Sequence, residues 1–319
     1  MNSMAFARIA RNNMKKSIGI IVVILLILLI GFLVAKNNTT QTAQGNKLQV
    51  TGSFYPMYYF SSVISGDKAT VQNITPAGAE PHDYEPSTRD IATIENSKLL
   101  VLNGGSIEAW GNKIKDNLQG TGTIIVIAGE GLTTRMIIEA GKTVTDPHVW
   151  LDPILAKQEV ARIKQGFDKA DPTNSAYYDN NAKSLDTKLD QLDALYKQGL
   201  QNCQQKDIVT SHAAFGYLAA RYGLNQVAIS GLSPDAEPSN QQLAQVTNFA
   251  KQHHVKYIFF ESLVSPKLSD TIANEVGAKT LVLDPIEGLS NDDIRAGKNY
   301  FTVMQQNLKN LQLALACSK

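Results

Sequence analysis

The sequence alternates between short apolar runs and longer stretches in which apolar residues recur every three or four positions. A short apolar run bounded by turn-forming residues predicts a buried β-strand, and the longer period predicts an amphipathic helix. In the first half of the chain we predict helices at residues 55–65, 87–95 and 107–117. These helices separate predicted strands at residues 48–54, 70–75, 99–103 and 123–128.

The same alternation returns in the second half of the chain. Predicted strands at residues 207–211, 226–229, 257–261 and 280–283 alternate with predicted helices at residues 213–222, 239–252 and 265–276. Strands separated by helices form parallel sheets, because each crossover returns the chain to the same end of the sheet. The fold class that we expect is α/β, with two doubly wound parallel-sheet lobes.

A long helical segment lies between the two sets of strands. Residues 174–200 carry an apolar face at helical spacing, formed by Tyr178, Leu185, Leu189, Leu192 and Leu195. This length corresponds to about 40 Å of helix, roughly the width of a domain. We therefore expect a single helix within residues 173–201 to join an N-terminal lobe (48–172) to a C-terminal lobe (202–319).

The N-terminal residues have a different hydropathy. Residues 1–17 contain four basic side chains and no acidic one, and residues 18–35 are uninterruptedly apolar. Eighteen helical residues span about 27 Å, close to the thickness of a hydrocarbon core. We expect a cytoplasmic basic segment (1–17), a membrane signal-anchor (18–35) and a polar, flexible tether (36–47), which place the remainder outside the cytoplasm, at the cell surface or in the periplasm.

A cleaved signal peptide is the alternative to this anchor. The apolar run is longer than a usual signal-peptide core, and the small-residue pattern of a cleavage site is poor after Ala35 and Ala43. No cysteine follows the run, which argues against a lipid attached at that point.

The charge of the chain excludes some classes of partner. Residues 1–45 hold five of the 30 Lys and Arg and none of the 29 Asp and Glu, so the exported part has a formal charge of −4. Without a basic surface, neither nucleic acid nor anionic lipid is expected to bind the exported part. The two cysteines, Cys203 and Cys317, are expected to form a disulfide in an extracytoplasmic protein, with two free thiols as the alternative.

Three of the five histidines and one aspartate follow predicted strands. His82 and His148 come after strands of the first half, whereas His212 and Asp284 close strands of the second half. Open α/β sheets bind ligands at the carboxyl ends of their strands. Three imidazoles and one carboxylate complete a four-coordinate site for Zn²⁺. We predict these four residues to be the ligands of one metal ion.

Each of these residues also has an ordinary structural explanation. His82 could be a surface histidine in a turn, His212 could cap the helix that follows it, and Asp284 could be a turn former. The joint occurrence of four such residues, two from each half, favours the metal site.

Other polar residues have different expected roles. Asp146 and Asp152 flank the second histidine, where they could accept a hydrogen bond from its imidazole or cap the next helix. Glu261 ends a strand, where it could support a ligand or line the cleft. His253 and His254 are adjacent at a helix end and point in different directions, so we interpret them as surface residues.

With these residues in place, the chain from Leu48 onward resembles the metal-binding solute-binding proteins of zinc and manganese ABC transporters, the cluster A-I family. The resemblance rests on GAEPHDYEPS around His82, DPHVWLDP around His148, IVTSHAAFGYLAARYGL around His212 and LVLDPIEGL around Asp284. It implies two α/β lobes joined by a long helix, with the metal in the cleft between them. It also implies a monomeric receptor, not an enzyme, that delivers its ion to an ABC permease.

Within that family, members that resemble zinc carriers have histidine as the third ligand, and typical manganese carriers have glutamate. His212 therefore favours one Zn²⁺ per chain, with Mn²⁺ as a possible second metal. Residues 129–145 contain no histidine, unlike the His-rich loop of many zinc members.

Three other functions compete with this interpretation. They are a manganese or iron receptor of the same fold, a metal-binding surface adhesin and a zinc hydrolase. A hydrolase is disfavoured because catalytic zinc keeps an open position for water, whereas four protein ligands would fill this site. The HExxH motif is also absent from the sequence.

Overall fold

The computed structural model describes residues 47–139 and 142–318, and residues 48–319 form one compact unit. The predicted cytoplasmic segment, the membrane anchor and all but the last residue of the tether lie outside the described residues. Within the described ranges, no helix combines the length and the apolar character needed to cross a membrane.

The first lobe is a four-stranded parallel sheet. Its strands lie in the order β2-β1-β3-β4, and α1 follows β1, α2 follows β2 and α3 follows β3. The elements are β1 (Leu48–Gly52), α1 (Tyr55–Ser65), β2 (Ala69–Asn73), α2 (Thr88–Glu95), β3 (Leu99–Leu102), α3 (Gly111–Asn117) and β4 (Ile124–Ile127).

An antiparallel hairpin and two long helices follow the first sheet. The hairpin pairs β5 (Met136–Glu139) with β6 (Lys142–Thr145). A short 3₁₀ turn at Val149–Leu151 leads into α4 (Pro153–Ala170), and α5 (Ser175–Leu200) is the joining helix.

The second lobe repeats the topology of the first. Its parallel strands lie in the order β8-β7-β9-β10, so in both lobes the first and third strands are neighbours at the centre of the sheet. The elements are β7 (Asp207–Thr210), α6 (Gly216–Tyr222), β8 (Asn225–Ala228), α7 (Asn240–Gln252), β9 (Tyr257–Phe260), α8 (Lys267–Val276), β10 (Lys279–Val282), α9 (Asn291–Arg295) and α10 (Tyr300–Ala314).

The joining helix is the centre of the packing. Tyr178, Leu185, Leu189 and Leu192 are buried in a cluster that includes side chains from both lobes. Leu195, which the sequence placed on the same face, is 44% exposed. Helix α5 packs against α1 and α4 on one side and against α10 on the other. The predicted fold class, with two parallel sheets joined by one long helix, is confirmed.

One disulfide and two side-chain caps stabilise the ends of helices. Cys203 and Cys317 form a disulfide that ties the end of α10 to the end of α5. Ser87 caps α2 in a capping box with Asp90, as the spacing of these residues predicts. Ser239 caps α7 by accepting a hydrogen bond from the amide of Gln242.

Candidate metal centre

His148 is placed by a tight turn rather than by the end of a parallel strand. It lies three residues after the end of β6 and immediately precedes the 3₁₀ turn at Val149–Leu151. Asp146 accepts hydrogen bonds from its backbone amide (3.0 Å) and from its imidazole Nδ1 (2.8 Å). These two bonds fix the ring and its tautomer, so the lone pair of Nε2 faces away from Asp146.

His212 lies just beyond β7, beside the end of the neighbouring strand β9. Glu261 follows β9, and its Oε1 accepts a hydrogen bond from the Nδ1 of His212 at 2.5 Å. The hydroxyl of Ser211 donates to the same oxygen. Glu261 therefore orients the imidazole, which is one of the two roles expected for it, and the Nε2 of His212 is left to face the cleft.

His82 comes from the loop after β2. Its backbone amide donates to Oε1 of Glu80 at 3.3 Å, and Pro81 before it is buried. Burial, together with the nearby charge of Glu287, raises the pKa of Glu80 to about 9, so this carboxyl is protonated at neutral pH. The side chain of His82 is 5% exposed, which makes it the most accessible of the three imidazoles.

The carboxylate that joins the three imidazoles is Glu287. It lies between β10 and α9, and its side chain is 1% exposed. Its Oε1 lies 3.4 Å from Nε2 of His82, 3.0 Å from Nε2 of His148 and 3.3 Å from Nε2 of His212. Its second oxygen is buried without a hydrogen-bond partner among the described residues.

The four converging atoms have the spacing of a tetrahedral zinc site. Nε2 of His148 lies 3.3 Å from Nε2 of both His82 and His212, and all four atoms lie within 4.8 Å of one another. Metal–ligand bonds of 2.0–2.1 Å give a tetrahedron with edges of about 3.3–3.4 Å. Five measured edges between 3.0 and 3.4 Å therefore fit one ion at the centre.

The protonation of the imidazoles depends on the carboxylates that contact them. Burial lowers the pKa of His82. Burial also acts against protonation of His148 and His212, but their carboxylate partners outweigh it and raise both pKa values, that of His212 most strongly. Burial would raise the pKa of Glu287, but the imidazoles hold it well below its usual range. The cluster thus keeps an ionised carboxylate beside imidazoles that a divalent cation can deprotonate.

Three of the four predicted ligands, His82, His148 and His212, converge in this cluster. The fourth, Asp284, is not part of it, and the structure brings Glu287 to the imidazoles in its place. Both carboxylate oxygens of Asp284 already accept hydrogen bonds, from the hydroxyl of Ser262 and from the amide of Ile286. Burial raises the pKa of Asp284 to about 6.

Glu287 was missed because it does not end a strand. It lies three residues after Asp284 within LVLDPIEGL, and only the acidic side chain inside that motif signals it. The backbone of Ile286 has a φ of +60°, a conformation that β-branched residues rarely adopt and that the sequence does not predict.

The remaining candidates lie outside the cluster. Asp152 caps α4 and pairs with Arg221 from α6. His253 is a partly exposed residue at the end of α7, where it stacks on Phe249 and pairs with Asp207.

The cluster lies at the contact between the two lobes. His82 and His148 belong to the first lobe, and His212 and Glu287 belong to the second. Further bonds cross the same contact: the indole of Trp150 donates to the carbonyl of Pro285 (2.8 Å), and the hydroxyl of Tyr217 donates to the carbonyl of Asp146 (3.1 Å).

The chain is similar to known proteins of zinc uptake. Residues 50–314 match the family described as "Zinc-uptake complex component A periplasmic". The chain is 39% identical over 318 residues to the high-affinity zinc uptake system protein ZnuA of Bacillus subtilis (strain 168), with 94% of this chain and 98% of that protein covered.

Two further similarities concern AdcA of Streptococcus pneumoniae. The zinc-binding lipoprotein AdcA of strain R6 is 41% identical over 293 residues, which cover 88% of this chain but only 58% of AdcA. The crystal structure of the Zn(II)-bound ZnuA-like domain of AdcA superposes with a TM-score of 0.73 at 41% identity, covering 84% of this chain and 99% of that domain.

Proposed function

Because this chain belongs to the family of periplasmic component A proteins of zinc-uptake complexes, we propose that it binds Zn²⁺ outside the cytoplasm and delivers it to an ABC-type permease. One observation carries the proposal: three imidazole nitrogens and one carboxylate oxygen converge from two lobes at tetrahedral spacing. The family consists of binding proteins, so the ion is cargo and no reaction is catalysed.

The proposed ligands are Nε2 of His82, His148 and His212 and the carboxylate of Glu287. Three imidazoles and a single carboxylate favour Zn²⁺ over Mn²⁺, which prefers oxygen ligands. The names of the two relatives described above say that they take up or bind zinc, which supports the same choice for this chain.

Release of the ion requires that the ligands separate. Because two ligands come from each lobe, an outward movement of either lobe removes half of the coordination. A permease that binds the open arrangement more tightly than the closed one would lower the affinity for zinc by that difference alone. We propose that the permease takes up the ion in this way.

The position of the protein relative to the membrane follows from its N-terminal sequence. We propose that residues 18–35 anchor the chain in the membrane and that residues 36–47 tether the lobes close to the permease. The name of AdcA describes it as a lipoprotein, so that protein is attached by lipid, whereas the apolar run would be the attachment here.

Metal content tests the proposal directly. The full chain, solubilised in detergent, is dialysed against equal chelator-buffered concentrations of Zn²⁺ and Mn²⁺ and analysed by mass spectrometry. We expect one zinc per chain and little manganese. Predominant manganese would assign the protein to a manganese receptor, and absence of both metals would refute the proposed function.

A further inference from the structure

The residue before Glu287 has an unusual backbone conformation. Ile286 has a φ of +60° and is completely buried. Branching at Cβ makes this left-handed region unfavourable for isoleucine, so the conformation persists only where the surroundings impose it. It is also the residue that sets the direction in which the next side chain leaves the backbone.

Asp284 holds this turn from within the chain. Its Oδ1 accepts a hydrogen bond from the amide of Ile286 at 2.7 Å, the pattern in which an aspartate side chain bonds the backbone two residues on. Its Oδ2 accepts a hydrogen bond from the hydroxyl of Ser262 at 2.5 Å. Both carboxylate oxygens are therefore engaged in fixing the backbone.

The side chain of Asn307 on α10 bonds the backbone of the same turn. Its Oδ1 accepts a hydrogen bond from the amide of Asp284 (2.9 Å), and its Nδ2 donates to the carbonyl of Asp284 (2.7 Å). Asn307 is 1% exposed, so these bonds do not compete with water. The indole of Trp150, from the other lobe, donates to the carbonyl of Pro285.

We propose that Asp284 and Asn307 are positioning residues for zinc binding, which hold Ile286 in the left-handed conformation and thereby direct Glu287 to the three imidazoles. The inference rests on the proposed function, because it concerns how the fourth zinc ligand is presented. It assigns to Asp284 a role that differs from ligation.

The first experiment separates positioning from ligation at Asp284. Zinc affinity is measured by chelator competition for the wild type, Asp284→Ala, Asp284→Asn and Glu287→Gln. Asparagine retains an oxygen that can accept from the amide of Ile286, whereas alanine does not. Loss of groups that orient a ligand typically reduces metal affinity about 10- to 100-fold. We expect a loss of that size for Asp284→Ala and recovery of most of it in Asp284→Asn.

The second experiment uses a matched pair on α10. Asn310 lies one turn after Asn307, and its Nδ2 donates to the carbonyl of Val282 at 2.7 Å, which is outside the turn. Both alanine variants lose a buried asparagine bonded to the backbone near β10. We expect Asn307→Ala to lose at least about tenfold in zinc affinity and Asn310→Ala to bind like the wild type.

A third experiment tests the backbone conformation itself. Glycine adopts a positive φ without a steric penalty. In Ile286→Gly, the hydrogen bond from the amide of residue 286 to Asp284 is therefore less important for keeping this conformation. In a double-mutant cycle, Asp284→Ala should reduce zinc affinity less in the Ile286→Gly background than in the wild type. The visible spectrum of the Co²⁺-loaded protein reports the ligand set and should change in Asp284→Ala and return in Asp284→Asn.

The outcomes distinguish the inference from the function on which it rests. If the wild type does not bind zinc, the proposed function fails. If the wild type binds zinc and Asp284→Asn loses as much affinity as Glu287→Gln, Asp284 is a ligand and the inference is wrong. Wild-type affinity in Asp284→Ala and Asn307→Ala would also overturn it. If Ile286→Gly does not fold, the zinc affinities of two other pairs of variants still test the inference. These pairs are Asn307→Ala with Asn310→Ala, and Asp284→Ala with Asp284→Asn.

Discussion

The two lobes have the same strand order but use the equivalent position for different purposes. In each lobe the first and third strands are neighbours, and the crevice beyond their carboxyl ends is where such sheets bind ligands. In the second lobe this crevice contains His212 and Glu261. In the first lobe it contains Ser53, Asn103 and Glu108.

Both crevices contain a carboxylate, buried in Glu261 and half-buried in Glu108, and the donors around it decide its role. Glu108 accepts hydrogen bonds from the hydroxyl of Ser53 and from the amides of Asn103 and Gly104, groups that have no further metal-binding atom to offer. Glu261 accepts from an imidazole, whose second nitrogen then faces the cleft. The same topology thus yields a structural support in one lobe and, in the other, one imidazole of the metal centre with the carboxylate that orients it.

The largest expected effect comes from removing the imidazole of the second lobe. His212→Ala deletes one of four ligands and should reduce zinc affinity by at least about 100-fold, since zinc binding of 10–16 kcal/mol is shared by four ligands. Ser53→Ala, the matched change in the first lobe, should leave zinc affinity unchanged. Chelator competition measures both, and equal affinity of His212→Ala and the wild type would contradict the ligand assignment.

A smaller loss of zinc affinity is expected when the carboxylate of Glu261 is replaced by a neutral amide. Glu261→Gln weakens the hold on the Nδ1 of His212 and should reduce zinc affinity about 10- to 100-fold. Glu108→Gln alters only the first-lobe crevice, so its zinc affinity should remain that of the wild type. Isothermal titration calorimetry measures the zinc affinity of both variants. An equal loss of affinity in Glu261→Gln and Glu108→Gln would contradict the different roles of the two carboxylates.

The smallest expected effect concerns Glu159, a fully buried acid of the first lobe. Both carboxylate oxygens of Glu159 on α4 lack a hydrogen-bond partner among the described residues, and burial raises its pKa well above the usual range. Well below the reference pKa of about 4.3, the carboxyl is protonated in both the folded and the unfolded chain. As the pH rises, only the unfolded chain ionises, so the free energy of unfolding falls until the folded carboxyl also ionises.

Glu159→Gln cannot ionise and should lack this pH dependence. Relative to the wild type, its free energy of unfolding should increase steadily as the pH rises from 4 to 8. Urea unfolding of the metal-free protein measures this difference. A constant difference across that range would mean that Glu159 is ionised in the folded protein.

The sequence predicted the elements whose signals are local. All eight strands of the two parallel sheets appear within two residues of the predicted bounds. Most are short apolar runs that end at turn-forming residues, and the more polar strands β2 and β8 lie at sheet edges. The hairpin of β5 and β6 was missed. Its strands have four residues each, and Met136 and Ile138 are exposed, so burial does not explain their apolar character.

Helices α4, α9 and α10 were also not predicted. In α10 the capping residue Asn299 accepts hydrogen bonds from the amides of Phe301 and Thr302, but buried Asn307 and Asn310 interrupt the apolar face. Those asparagines hold the backbone of the second lobe, a role that only the folded chain reveals. The fourth ligand was missed for a related reason, since the backbone conformation of Ile286 depends on Asp284 and Asn307.

The position of Trp150 gives the protein an intrinsic optical signal. Its indole is fully buried, lies near His148 with ring centroids 5.1 Å apart and the ring planes tilted by 51°, and bonds to the opposite lobe. The only other tryptophan, Trp110, lies in a separate apolar cluster of the first lobe. Separation of the lobes would expose Trp150 to water and shift its emission to longer wavelength, whereas Trp110 would keep its surroundings. Fluorescence of a Trp110→Phe variant therefore follows capture and release of the ion in real time, without an added dye.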